Sequence, residues 1–359
     1  MKPSVLVAGF ATRHIVSSAH RAGYRVYAVD HFCDTDLEWY TEDRIVFDEL
    51  DELPSAIDEI CGRHKINFMV AASGAELLSP PVRFYGSPPD IASIFLDKLR
   101  AQHFFEEKGF NVPPLVPEGH FPAMLKPCNG AGGWRNLVVR SGDDISGWET
   151  EWPGEPYLCQ ELVDGAPVSV SCLCDGTKAV AIAVNEQYLR GSGESTHGFC
   201  GSVTPFVHPG TEVLASLAER IASGSGCIGS VGIDFVLGDD TWVIEINPRF
   251  QATLDTIERA TGINLFRAHA DACAGRIPVK RPVPIRFAAR SILFAERDLI
   301  VREDLSHMHP YVADIPPVGT SVEEGHALIS VFGEGHTRDD ACEALDNTIT
   351  GLSTYIEQW

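Results

Sequence analysis

Basic residues are scarce in this 359-residue chain, with 28 Lys and Arg against 50 Asp and Glu and a formal net charge of −22. Such a charge repels nucleic-acid phosphates and anionic membrane surfaces, so we expect neither as a partner. Long apolar runs are missing too. None reaches the length of a membrane span, and the one near the N-terminus is too short for the core of a signal peptide. We therefore expect a cytoplasmic protein that acts on small molecules.

Several cofactor motifs are also absent. The ten cysteines form no CxxC pair, so neither a zinc ribbon nor a redox site is predicted. The turn after the first predicted strand is GFATRH rather than GxGxxG, which disfavours an NAD or FAD enzyme, and the P-loop pattern GxxxxGK[ST] is missing. His307 and His309 are a candidate metal pair, but two histidines do not make a site, and a surface loop is favoured.

What is present begins with alternating strand and helix patterns over the first ninety residues. SVLVAGF predicts a buried strand, and TRHIVSSAHRAG predicts an amphipathic helix that ends at Gly23. YRVYAVD and INFMVAAS predict further strands, with a helix between them. This order indicates an α/β unit with a doubly wound parallel sheet.

A glycine-rich segment follows a single predicted helix, IASIFLDKLRAQHFFEEKG. In AMLKPCNGAGGWRNLVVR, a strand containing Lys126 runs into three closely spaced glycines and returns as a second strand. This pattern predicts a β-hairpin flap whose backbone N–H groups could cover a phosphate chain. An ordinary flexible hairpin is the alternative.

Polar residues alternate along an otherwise apolar strand, WVIEINPRF. Glu245, Asn247 and Arg249 occupy every second position, so they share one face. The preceding strand VGIDFVL is joined to this one by the turn GDD, and the resulting hairpin brings Asp234 to the same face. Two carboxylates and an amide oxygen suit Mg²⁺ with nucleotide phosphates. The alternatives are a turn-proximal polar residue for Asp234 and a solvated strand face for Glu245.

These motifs, in this order, resemble the ATP-grasp superfamily of carboxylate–amine ligases, which includes biotin carboxylase, D-alanine–D-alanine ligase and carbamoyl-phosphate synthase. The resemblance lies in DK (Asp97 and Lys98), LKP with GAGG, QELVDG, DF and EINPR. It implies an α/β (α+β) ATP-grasp fold with an N-terminal doubly wound parallel sheet, a β-hairpin lid and a mixed or antiparallel C-terminal ATP-binding sheet. The implied parts are an N-terminal α/β domain (1–90), linker helices and lid (91–165), a catalytic part (166–280) and a β-rich part similar to the end of biotin carboxylase (281–359).

The resemblance also implies ATP and Mg²⁺ or Mn²⁺ as cofactors, and roles for the matching residues. Arg249 would face the phosphorylated carboxylate, and Gln160 to Val163 would be the hinge, where a backbone carbonyl near Glu161 and the N–H of Val163 would read the adenine edge. The implied nucleotide contacts are Lys98, Lys126, Gly130, Gly132, Gly133, Gln160, Glu161, Leu162 and Val163. The implied metal ligands are Asp234, Glu245 and Asn247, and the implied catalytic residues are Arg249 and Lys126.

Substrate residues are expected at the carboxyl ends of the N-terminal strands and in the loop NEQYLRGSGESTHGFCGSVTP. Arg13 is a candidate partner for a substrate carboxylate, with a surface helix-start arginine as the alternative. The loop adds Gln187, Tyr188 and Gly201 near the expected site. AGYRVYAVDHFCDTD and HGFCGSVTP resemble an ATP-grasp branch of archaea and C1-metabolising bacteria, which implies biosynthesis of a C1-carrier coenzyme such as methanofuran or a pterin.

The expected activity is the ATP-dependent joining of a small-molecule carboxylate to an amine through an acyl phosphate, with release of ADP and phosphate. One alternative is an enzyme that phosphorylates bicarbonate, as biotin carboxylase and carbamoyl-phosphate synthase do. The other is a non-catalytic nucleotide-binding protein, which would be expected to lose metal ligands. A homodimer is a family-level expectation.

Overall fold

The first five strands form the doubly wound parallel sheet that the alternating patterns predict. In this computed structural model, which describes residues 2–117, 119–130, 132–191 and 197–359, the strand order is β3-β2-β1-β4-β5. All six residues of β1 are buried, as expected of a central strand with helices on both faces. The elements are β1 Ser4–Gly9, α1 Arg13–Arg21, β2 Arg25–Asp30, α2 Thr35–Glu38, β3 Asp43–Val46, α3 Leu53–Arg63, β4 Phe68–Ala71 and β5 Arg83–Phe84.

The single helix predicted after this sheet is wrong in one respect, because the structure divides it in two. The division falls at Asp97, whose side chain accepts hydrogen bonds from the backbone N–H groups of Leu99 (2.9 Å) and Arg100 (3.1 Å). Asp97 is therefore an N-cap that starts a second helix with Lys98 in its first turn. The two helices are α4 Pro89–Leu96 and α5 Lys98–Glu107.

The glycine-rich segment lies in a small three-stranded antiparallel sheet of order β7-β6-β8. Lys126 is on the central strand, and the glycines occupy the connection to the next strand. The predicted linker from Gln160 to Gly165 starts two residues too early, since Gln160 and Glu161 still belong to a strand that pairs with β6. The elements are β6 Ala123–Pro127, β7 Leu137–Val139, α6 Gly142–Glu151 and β8 Tyr157–Glu161.

An eight-stranded antiparallel sheet, of order β13-β12-β9-β10-β11-β14-β18-β16, contains most strands of the rest of the chain. The predicted hairpin is its β12–β13 edge. The elements are β9 Ala166–Asp175, β10 Ala179–Leu189, β11 Phe199–Thr204, α7 Thr211–Ser225, β12 Ile228–Leu237, β13 Thr241–Asn247, α8 Leu254–Thr261, α9 Leu265–Ala272, β14 Phe287–Phe294, β15 Leu299–Ile300, β16 Val312–Ala313, β17 Ser321–Val322, β18 Ala327–Gly335 and α10 Arg338–Ile356.

Beyond residue 281, β14, β16 and β18 continue this large sheet, because β14 pairs with β11 along four residue pairs, whereas β15 and β17 form a separate two-stranded sheet. The last helix, α10, lies directly on β18. Gly333 permits this contact, since a Cβ there would be 2.2 Å from the carbonyl oxygen of Ala341. The proposed four-part division of the chain stays a prediction. In the described part of the chain, no helix is both long and apolar enough to cross a membrane.

Candidate active site

The centre of the candidate site is a distortion in the β12–β13 hairpin. Asp234 pairs with Glu245, while the next residue, Phe235, pairs with Val243, so Ile244 is the extra residue of a β-bulge. Bulges re-aim side chains and are frequent beside active sites. Here the bulge adjoins the pair of carboxylates that the sequence places on one face.

Asp234, Glu245 and Asn247 meet as the alternation predicts. The Asn247 amide nitrogen donates to Asp234 Oδ2 (3.1 Å) and to Glu245 Oε1 (3.0 Å). Gln187 joins them from β10 and donates through Nε2 to the other oxygen of Asp234, at 3.1 Å. Four predicted site residues from three strands therefore form one hydrogen-bonded group.

The two carboxylates cannot both be charged at low cost. Burial, followed by the charge of Glu245, raises the pKa of Asp234 well above its ordinary value. Burial acts in the same direction on Glu245, but the charge of Lys98 and hydrogen bonds from Asp234 and Asn247 outweigh it and lower the pKa of Glu245. A bound cation would therefore stabilise the charged forms of these two carboxylates.

Two lysines supply positive charge close to this group. Lys98 Nζ donates to the carbonyl oxygen of Gly130 at 2.7 Å, which ties the start of α5 to the glycine-rich connection. Lys126 is buried, and burial lowers its pKa to about 8 against the opposing attraction of Glu245. Burial also lowers the pKa of Lys98. Both lysines are therefore poorly solvated cations for which an anionic ligand would be a favourable partner.

Arg249 bridges the hairpin and the N-terminal sheet. Its Nη1 donates to Asn247 Oδ1 at 2.9 Å, and its Nε lies 2.7 Å from Glu76 Oε1. Glu76 is buried, and its second oxygen accepts from the backbone N–H of Gly74 at 2.7 Å. Sequence reasoning missed Glu76, although it lies in ASGAE, a strand end where an open α/β sheet binds ligands.

The glycine-rich connection packs against the turn just before β11. Gly133 has φ +72°, and a Cβ at this position would be 2.3 Å from the carbonyl oxygen of His197. Gly132 also has a positive φ, +70°, but no heavy atom lies within 4 Å of its Cβ position. His197 was not predicted; burial, followed by the charge of Lys126, lowers its pKa. Residues 192–196 of the predicted substrate loop, and Ala131, lie outside the described residues.

In the predicted hinge, the Gln160 side chain is bonded to other groups of the protein. Gln160 is buried and donates through Nε2 to Gln102 Oε1 (2.7 Å) and to the Pro113 carbonyl (3.3 Å). The N–H of Glu161 donates to the carbonyl oxygen of Pro114 at 2.8 Å. Leu162 and Val163 follow, half-buried. Their adenine-reading role stays a prediction.

Arg13 lies in a different group of charges, at the junction of the two large sheets. It is buried, with Nη2 2.8 Å from Asp255 and Nε 2.7 Å from Asp314 and 3.6 Å from Asp36. Three carboxylates of the protein thus already surround its guanidinium, and it is not the exposed helix-start arginine of the alternative interpretation. Its predicted contact with a substrate carboxylate stays a prediction.

Two other predicted substrate residues lie in the large sheet, one on each of two paired strands. Tyr188 pairs with Gly201, and Gly201 pairs in turn with Ser291 on β14. A Cβ at Gly201 would be 2.4 Å from the carbonyl oxygen of Arg290, so the glycine is required for strand packing. Its role toward a substrate stays a prediction.

Comparison with known families identifies the central part of the chain. Residues 95–253, from the end of α4 through the hairpin and Arg249, match the family described as the ATP-grasp domain. The chain contains an ATP-grasp domain. The match includes every predicted nucleotide contact and metal ligand, whereas Arg13 and Glu76 precede it.

Two kinds of protein are found among the relatives in sequence. The chain is 25% identical over 248 residues to the carbamoyl phosphate synthase large chain of Thermomicrobium roseum, covering 64% of this chain and 22% of the relative. It is 24% identical over 356 residues to an uncharacterised protein of Methanocaldococcus jannaschii, covering 92% and 88%. This chain spans about a quarter of the length of the carbamoyl phosphate synthases that it matches.

Solved structures show the same fold over almost the whole chain. The biotin carboxylase domain of Hydrogenobacter thermophilus 2-oxoglutarate carboxylase, in complex with MgADP, ADP and bicarbonate, has a TM-score of 0.79 at 13% identity and covers 99% of this chain and 90% of its own. Phosphoribosylamine–glycine ligase of Thermotoga maritima has a TM-score of 0.74 at 16% identity, covering 96% and 95%. The predicted ATP-grasp fold, with its parallel N-terminal sheet, lid and antiparallel sheet, is confirmed.

A divalent cation fits part of the ATP-grasp site directly. Asp234 and Glu245 face each other across the hairpin, and carboxylate oxygens are the ligand type that Mg²⁺ prefers. Asn247 presents Nδ2 rather than Oδ1 to them, so its amide must turn over before it can be a ligand. Within the described ranges no group of three or more His, Cys, Asp or Glu is arranged to hold a metal ion. A metal here would therefore need oxygen ligands from the nucleotide or water as well.

The two histidines of the HMH segment have separate partners. His307 lies in a short 3-10 helix, Leu305–Met308, with Nε2 3.3 Å from the Tyr355 hydroxyl. The His309 ring packs edge-on against Trp39, with 5.3 Å between centroids. This arrangement is consistent with the surface-segment interpretation.

Proposed function

We propose that the protein is an ATP-dependent carboxylate–amine ligase that uses Mg²⁺ or Mn²⁺. The observation that supports this most directly is the convergence of Asp234, Glu245 and Asn247 with two lysines and Arg249 around one hairpin of an ATP-grasp domain. A divalent cation held by these oxygens would offset the charge of the nucleotide phosphates. Residues of the chain would supply the other contributions to nucleotide binding and catalysis.

The lysines and the glycine-rich connection would bind the triphosphate. Lys98 and Lys126 are buried or half-buried cations, and phosphate oxygens would stabilise their charged forms. The backbone N–H groups near Gly132 and Gly133 could donate to the same phosphates, since glycine adopts the positive φ that this approach needs. These assignments agree with the nucleotide contacts predicted from the sequence.

Arg249 would act on the transferring group. In the proposed first step, an oxygen of the substrate carboxylate attacks the γ-phosphorus and ADP leaves, forming an acyl phosphate. The guanidinium would stabilise the charge that builds up in this transition state. In the second step the amine nitrogen attacks the carbonyl carbon, phosphate leaves with the C–O bonding electrons, and the nitrogen loses a proton. Glu76 would hold Arg249 in place, because it already pairs with Nε.

Trapping the intermediate tests this proposal. The protein, ATP and Mg²⁺ are incubated with a panel of carboxylates, with hydroxylamine in place of the amine. We expect ADP, phosphate and an acyl hydroxamate. AMP and pyrophosphate would indicate adenylation and contradict the proposed chemistry.

Two other functions are separated by the same panel. ADP release that requires only bicarbonate would favour a bicarbonate-phosphorylating enzyme, a reaction type suggested by the carbamoyl phosphate synthase relatives. Nucleotide binding with no turnover on any carboxylate would favour a non-catalytic protein. A homodimer and a role in the biosynthesis of a C1-carrier coenzyme stay predictions; the first can be checked by light scattering.

A further inference from the structure

Three aromatic rings stand together at the carboxyl end of the parallel sheet. Phe10 follows β1, and His31 and Phe32 follow β2. The Phe10 and His31 rings are stacked, with centroids 4.4 Å apart and planes 13° apart, and Phe32 meets both rings edge-on at 5.2 and 4.9 Å. We call these three residues the aromatic platform.

The two phenylalanines of the platform are exposed although their rings are large and apolar. Phe10 is 39% exposed and Phe32 is 43% exposed. Their combined open surface is far below the roughly 1,000 Å² that a stable protein interface needs, so a partner protein is a poor match. A small ligand with one flat ring matches better, because aromatic faces and edges attract each other at such separations.

A buried carboxylate holds the platform in place. Asp30 accepts hydrogen bonds from the backbone N–H groups of Thr12 (2.6 Å), Phe32 (2.9 Å) and Cys33 (2.7 Å). One side chain thus joins the turn after β1 to the turn after β2. His31 is held separately, with Nδ1 3.1 Å from the carbonyl oxygen of Phe47. The two turns that carry the rings are therefore ordered before any ligand arrives, which lowers the cost of binding.

The location connects the platform to the proposed reaction centre. The strand order reverses between β1 and β4, and open α/β sheets bind ligands in the crevice at such a point. The N–H of Phe10 donates to the carbonyl oxygen of Ser73 at 2.8 Å, on the turn after β4. That same turn continues to Glu76, the partner of Arg249.

We infer that the aromatic platform binds a planar ring of the carboxylate substrate, whose carboxylate extends toward Arg249. The inference rests on the proposed function, since it names the substrate class of that ligase. Ligands without a ring would leave both phenylalanines exposed and would bind less well.

Binding of two matched probes, measured without ATP, tests the inference separately from turnover. The probes are 3-phenylpropionate and 3-cyclohexylpropionate, which share the carboxylate and the chain but differ in the flat ring. We expect the phenyl probe to bind about three- to tenfold more tightly. It should also shift the His31 ring proton signals in NMR spectra, whereas the cyclohexyl probe should not.

Substitutions locate the preference. Phe10→Leu and Phe32→Leu should each reduce the preference for the phenyl probe, and Trp39→Leu is the matched control because Trp39 is 39% exposed but lies outside the platform. Phe10 and Phe32 lie in different turns, so one variant remains informative if the other fails to fold. A preference for the phenyl probe that persists in both platform variants would overturn the inference. Equal affinity of the wild-type protein for the two probes, or failure of both probes to bind it, would do so too.

The two proposals fail in distinguishable ways. Ring-selective binding without ADP release on any carboxylate would retain the platform and reject the ligase. ADP release with equal kcat/KM for ringed and ringless carboxylates would retain the ligase and reject the platform.

Discussion

Arg249 Nε lies 2.7 Å from Glu76 Oε1, so one ion pair joins the edge of the antiparallel sheet to the end of the parallel sheet. Arg249 belongs to the matched ATP-grasp domain, whereas Glu76 precedes it by nineteen residues. The pair gives Arg249 a structural partner in addition to its proposed role toward the transferring phosphoryl group. A structural role and a catalytic role of Arg249 predict opposite effects of its substitution on Tm and on turnover.

Arg249→Lys should reduce kcat about a hundredfold or more while nucleotide affinity and Tm stay near normal. A lysine can still pair with Glu76, but it cannot reproduce the bidentate, planar guanidinium. Turnover, nucleotide affinity and Tm are measured on the same variant. Glu76→Gln is the companion, because it removes the ion pair and leaves the guanidinium intact. A lowered Tm with turnover retained in both variants would assign Arg249 to structure alone.

Glu245→Gln should abolish most turnover and leave the fold intact, because it removes one of the two facing carboxylates. The chelator EDTA should stop the wild-type enzyme, and Mg²⁺ or Mn²⁺ should restore it. Asp239→Asn is the matched control, since Asp239 lies exposed in the turn of the same hairpin. Full activity in excess chelator would show that the metal assignment is wrong.

Gly133→Ala should raise the KM for ATP more than Gly132→Ala does. Both positions have φ near +70°, which costs an L-residue about 1–2 kcal/mol, but only at Gly133 would the new Cβ collide with the backbone of His197. Steady-state kinetics at saturating carboxylate give the comparison. Equal effects of the two substitutions would mean that contact with His197 does not position the lid.

ATP affinity should fall as the pH rises through about 8. Burial lowers the pKa of Lys126 to about 8, so in the free enzyme this side chain loses its charge above that pH. Bound phosphates favour the charged form, so binding should take up a proton there. Affinity for a non-hydrolysable ATP analogue is measured between pH 7 and 9. Lys126→Arg should flatten this dependence, because arginine stays charged.

The lowered pKa of Lys126 has the opposite effect on the stability of the fold, which should rise with pH while ATP affinity falls. The folded pKa lies below the ordinary value near 10.5, so the unfolded chain binds more protons between about 8 and 10.5. The contribution of Lys126 to the free energy of unfolding therefore rises with pH in this window. Urea unfolding of wild type and Lys126→Met at pH 7 and 9.5 separates this contribution from others.

Arg13→Leu should lower the free energy of unfolding by about 3–5 kcal/mol, because it leaves the buried carboxylates of Asp36 and Asp255 without their ion-pair partner. Although burial opposes it, the charges of Arg13 and Arg290 lower the pKa of Asp255 to about 2. The stabilisation that comes from this lowered pKa is present above about pH 4, near the ordinary pKa of an aspartate, and is lost as the pH falls through about 2. Arg13→Leu combined with Asp255→Asn should recover part of the loss. An unchanged Tm with a raised KM for the carboxylate would instead support the substrate contact.

Much of the architecture could be predicted because its signals are local. The period-two pattern of Glu245, Asn247 and Arg249 identifies one face of a strand, and the short turn before it selects the hairpin partner. Strand and helix periods identified the parallel sheet in the same way. The unpredicted helix break at Asp97 also had a local signal. Aspartate is a preferred N-cap residue, and Asp97 directly precedes Lys98, the first residue of α5.

The sequence by itself therefore determined the hairpin, the lid and the order of ATP-grasp motifs, since each depends on residues a few positions apart. Only the tertiary structure decided that Arg13 pairs with Asp255 and Asp314, which are 242 and 301 residues away, and that Arg249 pairs with Glu76. It likewise decided that β14 extends the large sheet. Such partners depend on how separately formed elements pack against one another, and no periodicity along the chain records that packing.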